Sequence, residues 1–364
     1  MKIVCSQDTL LAQLQIAARG VSQRSTVQIL SGILLTAGAE GAAELAATDM
    51  ELSLRVPLEA RVDEPGSVVL PGRLLLEIVR ALPAGEVTVE QPAGSGTVSL
   101  TCGASQYTLH TQAAEDFPNL PEPAVNQFAV DRDTFVHTIA HVSRAASRDE
   151  SRPVLMGVLL EFGEGSVTMA ATDSYRLSVK HSELPGTASE AQAIVPARAL
   201  QELARLGDAE SIQVSIGENQ ILFGVEGSWL SARRIDGQFP NYRQLLPQSF
   251  EHEVSVGRAE LLDVVRRMAL MAQRNLPLRL AFEPGSLTVS AQTQDVGEAR
   301  ETLPVGFQGE RLEIGFNADF LRDGIESVDG DTVKLRLISP LRPGLLQGED
   351  ASFSYLIMPI RLSS

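Results

Sequence analysis

This sequence predicts three consecutive α+β domains, each with two helices packed on antiparallel sheets, and three recurrences carry that prediction. Ala-Ala-Thr-Asp at Ala46–Asp49 returns at Ala170–Asp173. Leu-Pro-Gly-Arg at Leu70–Arg73 returns as Val-Pro-Ala-Arg at Val195–Arg198, each opening a helix-like pattern. Phe-Pro-Asn-Leu at Phe117–Leu120 returns as Phe-Pro-Asn-Tyr at Phe239–Tyr242. The step is about 120 residues each time, too long for a solenoid repeat and the length of a whole domain. A fainter third copy lies near Ser290 and Gly315. Pro- and Glu-containing stretches at Asn119–Val125 and Pro247–Glu253 read as linkers, giving domains over 1–123, 124–250 and 251–364.

In the first domain Lys2–Cys5 reads as a strand and Asp8–Arg19 as a helix. Leu10, Leu11, Leu14, Ala17, Ala18 and Val21 follow the helical period, Asp8 serves as N-cap and Gly20 as the stop. Ile33–Thr36, Ala43–Ala47 and Leu52–Val56 read as strands around a turn at Gly38 and Gly41. Pro71–Ala81 is the second helix, with Leu74, Leu75, Ile78, Val79 and Leu82 on its buried side. Val87–Glu90, Val98–Thr101 and Tyr107–Thr111 alternate as further strands. The second domain repeats this plan with helices at Asp133–Ala146 and Ala197–Leu206, the third with Arg258–Gln273 and Ala318–Val328.

Of the 364 residues 44% are hydrophobic and 21% charged, the balance of an ordinary folded protein. Cys5 and Cys102 are too few for a disulfide framework and read as buried thiols. The first residues lack the apolar core of a signal peptide, and no stretch approaches the roughly 18–20 apolar residues of a membrane span, so a cytoplasmic protein is expected. The net charge of −16 argues against gripping nucleic acid with the whole surface. The arginines nevertheless gather on helices and the loops after them, from Arg19, Arg73 and Arg80 to Arg266 and Arg267, while acidic residues dominate strands and turns. Basic helix faces repeated against an acidic background suit phosphate contact without base readout.

Enzymatic signatures are missing. There is no glycine-rich phosphate loop, and Gly94 and Gly96 read as a hairpin. His137 and His141 have a spacing that suits zinc, but Thr138, Ile139 and Ala140 leave no room for the protease glutamate, so the pair reads as polar or DNA-facing. Asp49 and Asp173 follow threonine at strand ends, where a side-chain-to-backbone turn contact is the better reading than a catalytic acid. No enzyme, metal or cofactor is expected.

These residues bring the chain close to a known family. Ala171–Val179, Asp236–Tyr242, Ile314–Asn317 and Tyr355–Leu362 resemble, in order and over the whole chain, the bacterial sliding clamp, the beta subunit of DNA polymerase III. The resemblance implies a head-to-tail homodimer closed into a ring around duplex DNA, with helices inside and sheets outside. Twelve helices spaced roughly 10 Å apart make a circle about 38 Å across between axes. Less one helix diameter, an opening near about 28 Å remains. That passes a duplex of about 20 Å, whereas a single subunit would close to about 9 Å.

By the same resemblance Arg24, Arg73, Arg80, Arg148, Arg152, Arg198 and Arg205 are expected to touch DNA. Relatives often carry aromatics after the arginine matching Arg152, where Pro153 and Val154 stand here. A pocket for short linear motifs is expected around Leu155, Thr172, Tyr175, Arg176, Leu177, Pro240, Leu245, Pro343, Leu356, Met358, Pro359 and Leu362. Read on its own, Leu356–Ile360 is a buried C-terminal strand. The implied occupants are the clamp loader, replicative and translesion polymerases and repair proteins, with no membrane partner. Tyr107, Leu270 and Met271 match apolar positions of the subunit interface, and Glu298 and Glu301 acidic ones. Ser99–Tyr107 carries no lysine or arginine, so cross-interface ion pairs are expected to be few. The rival readings are a duplex-binding protein that does not encircle DNA and a hydrolase built on duplicated domains.

Overall fold

The computed structural model describes residues 1–22, 26–123, 127–185, 190–272, 276–293 and 297–362. Six α-helices lie among them, two in each repeat: α1 Gln7–Ala17, α2 Gly72–Ala81, α3 Arg132–Val142, α4 Ala197–Leu203, α5 Arg258–Ala269 and α6 Ala318–Glu326. Each is shorter at one end or both than the apolar pattern indicated. The pattern runs on through a 3-10 turn after α1 and α3, which keeps side chains inward without the α-helical hydrogen bonds. The cap of α1 is Ser6, whose hydroxyl accepts from Thr9 N at 3.1 Å, and Asp8 sits in the first turn beside the helix's positive end. On α2, Leu75, Ile78 and Val79 are buried, but Leu74 is 47% exposed because the buried stripe is narrower than the run of leucines.

The described strands form four sheets, antiparallel throughout. The first runs Arg61–Glu64, Lys2–Ser6, Glu86–Glu90, Thr97–Cys102, Ser105–His110. The second runs Phe128–Asp131, Ser211–Ile216, Gln220–Val225, Ser228–Arg233, Leu52–Leu58, Ala43–Thr48, Gly32–Ala37, Gly66–Pro71. The third runs Ala191–Pro196, Gly157–Gly163, Ser166–Thr172, Arg176–Glu183, Phe353–Ile357, Gly344–Gln347, Thr332–Leu337, His252–Gly257. The fourth runs Gly297–Pro304, Ser286–Thr293, Pro277–Glu283, Leu312–Asn317. The strands Arg61–Glu64 and Gly66–Pro71 were not read from the sequence; the first is too exposed for alternation and the second hides behind its Pro-Gly ending.

Both eight-stranded sheets take four strands from one repeat and four from the next. The seam of the second sheet pairs Trp229 with Arg55, Leu230 with Leu54 and Ala232 with Leu52. The seam of the third pairs Arg176 with Ile357 and Leu177 with Leu356. The chain accordingly divides into two compact units, Met1–Arg132 with Glu202–Arg234, and Asp133–Gln201 with Ile235–Ser364. In the first unit α1 and α2 close over a core that includes Ile3, Leu10, Leu14, Ile33, Leu45, Val79 and Val87. Cys5 and Cys102 are buried in it as free thiols. In the second unit α5 packs on α6.

Candidate functional site

The turn after Thr172 sets the site. Asp173 Oδ1 accepts from Tyr175 N at 2.9 Å and Arg176 N at 3.0 Å, and Thr172 Oγ1 donates to the Arg176 carbonyl at 2.6 Å. Asp49 holds the matching turn in the first repeat, accepting from Glu51 N and Leu52 N. Both aspartates are therefore backbone clamps, as their sequence positions indicated. Each turn has its next residue at positive φ, Met50 at 77° and Ser174 at 82°. The clamp turns Tyr175 outward, 62% exposed, and Arg176 inward.

Arg176 is the hub. Its guanidinium meets Asp173 Oδ2 at 3.0 Å, Asp323 Oδ2 at 2.6 Å, the Tyr355 hydroxyl at 3.3 Å and the Arg144 carbonyl at 2.6 Å. It lies over the Phe320 ring, 4.4 Å from its centroid, and Tyr175 stacks on the same ring. Burial pulls the Arg176 pKa down, yet Tyr355, Asp323 and Asp173 outweigh it and the net direction is up. Burial raises the Tyr355 hydroxyl above the usual tyrosine range, so it stays a neutral donor, to the Phe320 carbonyl at 2.8 Å.

Beside this hub lies an apolar floor. Leu177 and Leu356, opposite each other across the seam, join Leu159, Phe239, Tyr242 and Leu345 in one buried cluster, with Val154, Leu246 and Phe250 packed on it. Met358 N donates to the Tyr175 carbonyl at 2.8 Å, so the chain after the last strand runs along the turn. Gly344 pairs with Ile357, which sets the half-buried Pro343 near the start of that run, before Pro359. Leu245 and Met358 are 51% and 43% exposed, while Leu155 and Thr172 are buried beneath the surface. Pro240 is exposed and its carbonyl accepts from Tyr242 N at 2.7 Å. The exposed apolar side chains beside a buried floor make a surface suited to an extended apolar peptide. Leu362 goes elsewhere, onto Gly315, where it lines a cleft of the fourth sheet with Arg279, Arg300 and Arg361. The sequence reading missed Phe320, Asp323 and Tyr355, and the Phe-Pro-Asn-Tyr recurrence was the signal for Phe239 and Tyr242.

Of the arginines matched to DNA contact, Arg73, Arg80, Arg148, Arg198 and Arg205 are exposed. Arg73 and Arg205 meet Glu77 and Glu202 at 3.7 and 3.1 Å, whereas Arg80 and Arg148 have no ion-pair partner among the described residues. Arg152 is half-buried, holding Asp149 at 2.7 Å and the Ser174 hydroxyl at 3.0 Å. Arg24 lies outside the described residues. Other arginines of the helix set are structural: Arg258 donates to the Ile325 and Glu326 carbonyls at the end of α6.

The interface residues sit on or beside sheet edges. Tyr107 is on Ser105–His110, one of the two edge strands of the first sheet. Glu298 and Glu301 are on Gly297–Pro304, one of the two edge strands of the fourth, where Glu301 pairs with Arg267 at 2.6 Å. Leu270, 86% exposed, and Met271 follow α5.

No described helix is long and apolar enough to cross a membrane. Family models of the DNA polymerase III beta subunit match the chain in three consecutive pieces: the N-terminal domain over residues 1–121, the central domain over 129–241 and the C-terminal domain over 243–361. The beta sliding clamp of Streptomyces coelicolor is 37% identical over 380 residues, with 100% of each chain covered. The DNA polymerase sliding clamp from Bacillus subtilis matches in structure with a TM-score of 0.93 at 26% identity, over 100% of both chains. A sliding clamp from Pseudomonas aeruginosa, solved bound to griselimycin, matches with a TM-score of 0.90 at 29% identity, again over 100% of both. Three domain models in order and likeness along the full length make the chain a member of the DNA polymerase III beta subunit family, the bacterial sliding clamps.

Proposed function

We propose that this chain is a processivity clamp of DNA replication, a ring-shaped homodimer of three-domain subunits that slides on duplex DNA without reading its sequence. The domains are those over 1–123, 124–250 and 251–364, and the protein works in the cytoplasm without catalysing a reaction. The observation that carries the reading is the pair of unmatched edges. Inside the chain, Ser228–Arg233 joins Leu52–Leu58, and Phe353–Ile357 joins Arg176–Glu183. The repeat carries those strands onto Ser105–His110 and Gly297–Pro304, each of which has a strand neighbour on one side only among the described residues. One copy's first edge therefore joins another's second, twice over, and the ring closes.

Arg24, Arg73, Arg80, Arg148, Arg152, Arg198 and Arg205 attract the phosphates, while the net charge of −16 keeps the remaining surface from gripping DNA. Topology supplies retention, so weak contacts suffice and sliding stays fast. The groove beside Arg176 takes short linear motifs, which tether the clamp loader, replicative and translesion polymerases and repair proteins. Tyr107, Leu270 and Met271 supply the apolar part of the subunit contact, with Glu298 and Glu301 at its edge.

Retention on circular DNA tests the reading. The protein is loaded onto a nicked plasmid with its clamp loader and ATP, the complex isolated and the plasmid linearised. Loss on linearisation is expected; retention on the linear form would replace encirclement by direct duplex binding.

A further inference from the structure

We infer that His137, His141 and Asp329 form a binding site for a divalent transition-metal ion of the zinc class, one per chain. The two histidines lie one turn apart on the same face of α3, and Asp329 follows α6. His137 Nε2 and His141 Nε2 stand 3.1 and 3.0 Å from the same carboxylate oxygen, Asp329 Oδ1. The three ligand atoms all lie within 4.8 Å of one another. Zinc holds nitrogen and oxygen ligands at about 2.0–2.2 Å, which puts neighbouring corners of its tetrahedron roughly 3.3–3.5 Å apart. The two nitrogen–oxygen distances lie within a few tenths of an ångström of that spacing, and turning the half-exposed His137 ring would bring its nitrogen to the third corner.

The orientation of the buried ring is a second, separate observation. His141 Nδ1 is 2.7 Å from the His137 carbonyl oxygen. A carbonyl only accepts, so Nδ1 carries the hydrogen. In the neutral ring Nε2 is then left with its lone pair, aimed at a carboxylate oxygen that is also an acceptor. Two acceptors 3.0 Å apart repel unless a proton or a metal cation lies between them. A histidine that donates one ring N–H to a backbone carbonyl and turns the other nitrogen to a shared centre is arranged as metal-ligating histidines usually are.

The surroundings hold this geometry. His141 is buried and packs edge-on against Phe353, ring centroids 5.3 Å apart. Lys180 Nζ takes the other carboxylate oxygen, Asp329 Oδ2, at 3.2 Å. It fixes the carboxylate plane, while its charge sets an upper limit on affinity for a dication. His137 is half-exposed, which opens a way in and leaves the fourth corner to water. The histidines belong to the central matched domain and Asp329 to the C-terminal one, so the ion would tie two repeats together. The sequence offered only the spacing on α3; the third ligand lies 188 residues from His141.

The test uses the full-length protein stripped with chelator and titrated with zinc chloride by calorimetry, with cobalt(II) absorption reporting coordination. One zinc per chain is expected, with visible cobalt bands of low coordination number and a rise in Tm on adding zinc. His137→Ala removes a half-exposed ligand without opening the core, and its metal-free Tm checks that it folds. It and Asp329→Asn are expected to weaken zinc binding about 10-fold or more and to abolish the Tm rise. Wild-type protein that takes up no zinc, or a folded His137→Ala variant that binds as well as wild type, overturns the site.

Discussion

Arg176 shows how much one side chain carries in this fold. Its charge is shared between Asp173 and Asp323, all three largely withdrawn from water. Arg176→Ala is expected to destabilise the protein by about 3 kcal/mol, because two carboxylates lose their partner at once. Arg176→Lys recovers only part of this, since an ammonium cannot fork to both carboxylates and stack on Phe320; urea unfolding measures both. Cys5 makes a prediction of another kind. Burial, with Glu86 adding to it, pushes its thiol from 9.0 up to about 11. The unfolded chain releases this proton first, so the contribution of Cys5 to stability is intact below about pH 9 and falls as pH rises through about 11. At pH 8 an alkylating reagent should spare it in the native protein and modify it after unfolding. The turn roles of Asp49 and Asp173 were legible in the sequence because their partners lie two and three residues on. The partnership of Arg176 with Asp323 was not, because 147 residues separate them and only the fold brings them together.

At the scale of elements, the helices were legible because a 3.6-residue stripe declares itself locally, while the exposed strand Arg61–Glu64 left no alternation to read. Helix α6 carries a feature that local propensity misjudges. Gly324 sits in its interior, where alanine would ordinarily stabilise by about 1 kcal/mol. A β-carbon there would come within 2.6 Å of the Tyr355 ring, which backs the Arg176 hub. Gly324→Ala should therefore lower stability by roughly 1–3 kcal/mol, read from the urea midpoint. The groove wall behaves oppositely. Leu245 and Met358 are exposed, so Leu245→Ala and Met358→Ala should leave stability within about 0.5 kcal/mol. Each should cost about 1 kcal/mol or more, roughly fivefold or more, in affinity for a motif peptide measured by fluorescence anisotropy. Unchanged binding in both variants would move the peptide site away from this groove. Of the strands at this site the local pattern gave only the C-terminal one, read as Leu356–Ile360 and found at Phe353–Ile357; the resemblance was needed to propose that a peptide binds there.

For the whole molecule, the repeats were readable as a period, but the sharing of each eight-stranded sheet between neighbouring repeats was not, since strand pairing across a seam leaves no local pattern. That sharing fixes an expected register for the contact between copies. Carrying over the pairs Ala232 with Leu52 and Ser231 with Ser53 sets Leu109 opposite Gly297 and Thr108 opposite Glu298. Facing Cα atoms in an antiparallel pair stand about 4.5–5.5 Å apart, within disulfide reach. Thr108→Cys combined with Glu298→Cys should therefore cross-link copies under mild oxidation, and neither single variant should. Failure of the double variant to cross-link would refute this register. Joined in this way, the same two edges would carry a hazard as well as a function. A head-to-tail contact has no built-in end: if the rotation from copy to copy did not close on itself, copies would add without limit into a filament. What separates a replication clamp from a fibre is then the rotation from one copy to the next, and a substitution that bends one seam by a few degrees could turn a finite assembly into an endless one.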